Sequence, residues 1–168
     1  MAKVSEDVKV RVATSTAQDF VETYYSALNN IKGRSTLAKF YVKSSTTKPD
    51  IIINGNVISS PASLQKLFET QINRAHYDVK SYDAHILNSN YNLGGSTEST
   101  EPNKDGKKAS VVVLISGSVI YWKDTEEGET RGFTETVVLV PNPEALSKSA
   151  KGKVRKWSIL SQNFRLIL

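Results

Sequence analysis

Residues 109–122, ASVVVLISGSVIYW, decide the fold. Every side chain from Val111 through Ile115 is apolar, so the segment lacks the alternation of a strand with one wet face and requires cover on both sides. Three consecutive valines, the isoleucines and an interior Gly117 favour a pleated strand over a helix. After the turn-rich residues 123–130, which carry Gly128, RGFTETVVLV at 131–140 reads as a second strand, and the pair is most economically an antiparallel hairpin. The domain's own helices can cover one face of this hairpin. Its other face is expected to meet another protein.

The remainder is consistent with one domain of 168 residues, long enough to bury a core without staples. Cysteine is absent, which removes disulfides and thiolate metal sites and allows a reducing compartment. No apolar run approaches the roughly 20 residues that span a bilayer, and MAKVSEDVKVRV lacks the hydrophobic segment of a signal peptide. A soluble, intracellular protein with no membrane partner is therefore expected. Lysine and arginine exceed acids by 22 to 17, a balance of +5 that is compatible with an acidic partner and equally with plain solubility.

In chain order, residues 1–14 place Val8, Val10 and Val12 between Lys9 and Arg11, which reads as either an N-terminal tail or a short edge strand. Ser15 or Thr16 caps a helix with Phe20, Val21, Tyr24, Tyr25, Leu28 and Ile31 at helical spacing and Gly33 as its stop. Leu37, Ala38, Phe40 and Tyr41 make a second short helix, ended by Lys48-Pro49. Ile51, Ile52 and Ile53 form a strand that turns at Asn54-Gly55, a strong hairpin signal. Ser60-Pro61 opens a helix with Leu64, Leu67, Phe68 and Ile72 as its buried stripe, and a strand is expected over 77–87. Residues 88–108 have almost nothing to bury and read as a long mobile loop; 141–153 are a shorter basic loop; VRKWSILSQNFRLIL ends the chain as a last strand. Helices early and strands late give an α+β fold, a curved sheet with about three helices on its concave face, in a single domain over 15–168.

FVETYYSALNN, LAKFY and IIINGNVIS resemble the nuclear transport factor 2-like superfamily, and VLISGSVIYW, GFTETVVLV and WSILSQNFRLIL resemble strands of the small subunits of messenger-RNA export receptors. Those are the NTF2-related export protein of animals and the mRNA transport regulator of fungi, the long loop favouring the fungal kind. The resemblance implies a cone-shaped domain with a strongly curved antiparallel sheet and no catalytic activity. It also implies a heterodimer with the NTF2-like domain of a TAP-type large receptor, which carries messenger ribonucleoprotein, and in fungi large ribosomal subunits, through the nuclear pore by binding nucleoporin Phe-Gly repeats. The expected location is the nucleus and nuclear pore, with shuttling to the cytoplasm. The partner face is assigned to Val111, Val113, Ile115, Thr136, Val138, Ile159, Asn163 and Arg165. In the resembling family the arginine of the terminal FR motif meets a carboxylate of the large subunit, and the matching residue here is Arg165. Phe164 and Arg165 point to opposite faces, so a core Phe164 puts Arg165 outside.

Two other functions belong to the same superfamily. One is a homodimer carrying Ran-GDP, which uses an acidic residue on the strand and turn written here as IIINGN; Asn54 stands there instead. The other is a small-molecule isomerase or dehydratase with a carboxylate or His-Asp pair as general base. Its candidates here are His76, Asp83, His85, Glu135, Tyr24 and Tyr25, but the strand that bears the base in those isomerases is aliphatic or amide in this chain. No catalytic residue, cofactor or metal is therefore assigned, two separate histidines making no ligand spacing. Lys148, Lys151, Lys153, Arg155 and Lys156 form the densest basic run, which reads either as a solvated loop or as a contact with RNA phosphates or pre-ribosomal particles.

Overall fold

The computed structural model describes residues 3–43, 47–72, 74–91, 104–123, 127–146 and 154–167. Its first element is a helix, α1 (Glu6–Asn29), capped by the Ser5 hydroxyl, which accepts from the Val8 amide, with Glu6 and Asp7 in the first turn where the helix dipole favours anions. The tail or edge strand expected over 1–14 is thereby corrected to helix. Val8, Val10 and Val12 fit period two, yet Val4, Val8 and Val12 also fit a helical i, i+4 repeat, and packing chooses the second. Val4 is buried, Val10 is 66% exposed, and Val8 and Val12 close on Gly106, where an added Cβ would lie 2.8 Å from Val12 Cγ2.

α1 lays Ala13, Ala17, Phe20, Tyr24, Tyr25 and Leu28 on the sheet. A short helix α2 (Ile31–Arg34) and a 3-10 turn (Leu37–Phe40) follow. Strand β1 (Asp50–Ile53) passes through Asn54 and Gly55, at φ of 49° and 80°, into β2 (Asn56–Val57), as a two-residue primed turn requires. Helix α3 (Pro61–Thr70) is capped by Ser60, whose hydroxyl accepts from the Ser63 amide at 3.1 Å. Long strands β3 (Arg74–Asn88), β4 (Ser110–Trp122) and β5 (Glu129–Pro141) come next, then the one-turn α4 (Pro143–Leu146) and β6 (Trp157–Ile167). Among the described residues no helix is long and apolar enough to cross a membrane.

The strands form one open sheet in the order β2-β1-β6-β5-β4-β3, with helices on one face, which is the expected α+β class. β3 to β6 are antiparallel neighbours, but β1 runs parallel to β6, so the sheet is mixed rather than wholly antiparallel. β1 meets β6 far later in the chain, a pairing that no local pattern announces. Register shifts at Val79/Ser81, Ile86/Asn88 and Val138/Leu139 put extra residues on one strand of a pair and so bend the sheet. Gly117 serves the first bend: a Cβ there would fall 2.2 Å from the Asp78 carbonyl oxygen and 3.0 Å from the Phe133 ring.

Two polar side chains fasten the helices to this frame. Buried Arg34 donates to the carbonyls of Leu28, at 3.0 Å, of Phe68 and of Ile72, so one cation satisfies oxygens at the C-terminal ends of both α1 and α3. Asn29 donates to the Tyr77 carbonyl at 2.9 Å and accepts the Tyr77 amide at 2.7 Å, supplying to the edge strand β3 what a further strand would. Asn29→Ala orphans both backbone groups and is expected to lower the unfolding free energy by about 2–3 kcal/mol in urea titration. A loss under about 0.5 kcal/mol would mean that water replaces the side chain fully.

Candidate functional site

The two faces of the sheet separate cleanly along β4, β5 and β6. Val111, Val113, Ile115 and Ile159, all at most 3% exposed, point to the helix-covered face and belong to the chain's own core. Their assignment to the partner face is corrected. With both faces of 111–115 apolar, the sequence could not reveal which parity turned inward, and α1 takes the odd-numbered set. Thr136, Val138, Asn163 and Arg165 do stand on the opposite, outer face.

On that outer face the register builds continuous rows. Asp83, Leu114, Thr136, Asn163, Ile52 and Val57 lie side by side across all six strands. In the next row come Ser81, Ser116, Thr134 and Arg165, the two serine hydroxyls 2.7 Å apart. Leu114 is 48% exposed, and Val57 and Ile167 are more open still. Arg165 is exposed, and among the described residues no carboxylate pairs with it. The face thus offers one row in which aliphatic and polar side chains mix, a band of hydroxyls beside it, and one unneutralised guanidinium.

The covered face holds a buried carboxylate. Glu135 accepts from the Tyr25 hydroxyl on one oxygen and from Gln162 Nε2 on the other. The same amide nitrogen donates to the Tyr24 hydroxyl at 2.8 Å, and Gln162 Oε1 accepts from the Tyr41 hydroxyl. Rings close around this network: Phe133 stacks on Tyr25 and Phe164, and Phe20 on Tyr24, with centroids 5.0–5.8 Å apart. Burial raises the Glu135 carboxyl from its ordinary 4.5 to about 7, against the pull of its two hydrogen bonds. Burial also holds the Tyr25 hydroxyl well above its ordinary range, so it remains a donor. Gln162 and Tyr41 are members of this site that sequence reasoning did not single out.

Of the catalytic candidates, the structure brings Tyr24, Tyr25 and Glu135 together and leaves the rest apart. His85 Nε2 is 3.1 Å from Asp83 Oδ2, but both side chains are exposed on the edge strand, and His76 is exposed too. A cavity of about 260 Å³ beside Tyr41 and Pro141 and a cleft of about 600 Å³ beside Asp19 and Trp157 are lined by neither Glu135 nor Tyr25. Among the described residues no group of three His, Cys, Asp or Glu could hold a metal.

The basic run is described only at its end. Lys148, Lys151 and Lys153, like 92–103 of the expected mobile loop, lie outside the described residues. Lys156 is exposed. Arg155 is a packing residue: its guanidinium sits 3.8 Å from the Phe40 ring centroid and 5.4 Å from that of Trp157, and donates to the Lys39 carbonyl. Trp157 in turn donates to Asp19 at 2.7 Å, tying β6 to α1.

The nuclear transport factor 2 (NTF2) domain model matches residues 16–165. Among solved structures, the chain is similar to one in the complex of Sac3N peptide bound to Mex67:Mtr2, with 25% identity and a TM-score of 0.78, covering 92% of this chain and 99% of that one. It is similar to one in the Chaetomium thermophilum Mex67 NTF2-like domain complexed with Mtr2, at 26% identity and a TM-score of 0.77, over 92% and 98%. Mtr2 solved separately gives 24% identity and a TM-score of 0.74 over 92% and 99%, a likeness of fold. No curated protein sequence matches the chain.

Glu135 sets a pH dependence of stability. With its folded value near 7 and its ordinary value at 4.5, the native state binds the extra proton between these limits, so its contribution is complete below pH 4.5 and is lost as pH rises through 7. The loss from this group between pH 4 and 8 is expected to be about 3 kcal/mol, and Glu135→Gln should flatten that part of the profile in denaturant titrations at each pH. An unchanged slope in the variant would place the titration elsewhere.

Proposed function

Since the chain belongs to the nuclear transport factor 2 family, matched over residues 16–165, we propose that it is the non-enzymatic small subunit of a nuclear mRNA export heterodimer, bound through the outer sheet face to the NTF2-like domain of a TAP-type large receptor. The observation that carries this reading is the outer face itself. Leu114 and Val57 are left exposed and Ile52 half-buried in a row that crosses the sheet, with the unneutralised Arg165 one row away, on a fold similar to chains found in Mex67:Mtr2 complexes. Exposed aliphatic side chains interspersed with hydrogen-bonding groups and an arginine are a make-up suited to a protein interface.

In this reading the small subunit completes the large one, and the heterodimer shuttles between nucleus and cytoplasm by way of nucleoporin Phe-Gly repeats. RNA or pre-ribosomal contacts fall to the run from Lys148 to Lys156, with Arg155 taken up by Phe40. Two facts favour this over the other functions of the superfamily. Both oxygens of Glu135 are occupied in a ring-packed interior, which fits a structural carboxylate. At the position where the Ran-GDP carrier keeps an acid, Asn54 spends its side chain on the backbone of β6.

Substitutions on the two faces test the orientation. Arg165→Glu and Leu114→Asp are expected to leave the isolated chain folded and to weaken association with the large subunit's NTF2-like domain, the first by about 2–5 kcal/mol because it strands a partner carboxylate. Val113→Asp, one residue away but in the core, is expected to unfold the chain instead. Titration calorimetry alongside thermal melting separates the two effects. Wild-type affinity in a folded Arg165→Glu sample would put the interface elsewhere.

A further inference from the structure

The Asn54-Gly55 turn does more than reverse the chain between β1 and β2. The Asn54 amide donates to the Phe164 carbonyl at 2.8 Å, continuing the parallel ladder of β1 on β6 by one step. At the next step β1 has already turned away. There the Asn54 side chain takes over, its Oδ1 accepting from the Leu166 amide at 2.8 Å, so that a side-chain carbonyl stands where a strand carbonyl would. The two bonds fall on the residues immediately before and after Arg165, and on its other side Arg165 is paired with Thr134 of β5. Asparagine suits the post because it tolerates the φ of 49° that the turn imposes and brings its own acceptor.

The turn also reaches the side chain of Arg165. A Cβ built at Gly55 would lie 3.6 Å from Arg165 Nη2, an ordinary contact distance, so the guanidinium rests beside the turn rather than extending freely. Asn56 braces the turn from behind, its Nδ2 3.3 Å from the carbonyls of both Ile53 and Asn54. Asn54 and Gly55 of the NGN motif therefore bear on one arginine, and Asn56 holds their turn.

The geometry points to Asn54 as a positioning residue for the partner interface: it clamps the backbone on both sides of Arg165 and so presents the guanidinium, already ordered, to a carboxylate of the large subunit. This rests on the heterodimer proposed above. A long side chain ordered before binding loses less freedom on association, so removing the clamp should weaken binding without removing any group that touches the partner.

Asn54→Gly is the informative variant, because it keeps the positive φ and deletes only the acceptor. In the free protein it is expected to speed hydrogen exchange at the Leu166 amide by about tenfold and to increase the mobility of Arg165 Nε by NMR relaxation, with little change in melting temperature. In calorimetry with the large subunit's NTF2-like domain it should lower affinity by about three- to tenfold, and by nothing further when Arg165→Ala is already present. An equal loss in both backgrounds would mean a structural effect of the turn and would overturn the proposal, as would unchanged Leu166 exchange. If the wild-type chain did not bind that domain at all, the heterodimer reading would fall and the interface role with it, while the exchange and relaxation measurements still decided the clamp.

Discussion

The register of β5 against β6, with Glu135 opposite Phe164, settles both sides of the molecule at once. It turns Phe133, Glu135, Val137, Gln162 and Phe164 toward the helices, and alternation then sends Thr134, Thr136, Asn163 and Arg165 outward. A slip of one residue would put an arginine among stacked rings and expose a buried carboxylate. Burying the unpaired arginine is the costly misplacement, worth several kcal/mol, and the same slip would break the hydrogen bonds of Glu135 and Gln162, so polar residues help to enforce the register alongside the aromatic ones.

Glu135 is the expensive member of this arrangement. A carboxylate taken out of water is tolerated only when it is bonded, and here Tyr25 and Gln162 occupy one oxygen each while Tyr24 and Tyr41 hold Gln162 in the orientation that donates. An apolar residue would fill the space at lower cost. What the carboxylate adds is direction: it links α1, the segment after the 3-10 turn, β5 and β6 through hydrogen bonds whose geometry rings alone do not fix.

Much of this fold was legible in the sequence because its signals are local. Asn54-Gly55, Ser60-Pro61 and the apolar stripe from Phe20 to Leu28 each act within a few residues, and each element appears where its signal stands. The start of α1 was hidden because valines at 8, 10 and 12 satisfy two periods, and only packing separates them, with Val4 buried, Val10 exposed, and Val8 and Val12 beside Gly106. Long-range facts left no trace of that kind: β1 pairs parallel to β6, and Gln162 reaches Tyr24, Tyr41 and Glu135. For the candidate interface, polar residues told the truth about their face, since Thr136, Asn163 and Arg165 have a reason to avoid the core. Val111, Val113 and Ile115 had none to prefer either side, and reading them as outward missed the helix that covers them.

The composition of the outer face also bears on which partner it can take. A purely aliphatic surface would accept many sheets, including a second copy of this chain, with little penalty for a poor match. Here Leu114 and Ile52 are separated in their row by Thr136 and Asn163, and the adjoining row is Ser81, Ser116, Thr134 and Arg165. Every one of those groups loses water when the face is covered, so a partner that fails to bond them leaves several polar groups unpaired, each costing about 1–3 kcal/mol. A partner for this face would have to carry acceptors and a carboxylate in matching rows. In such a face the aliphatic residues favour association in general, and the polar rows discriminate among partners.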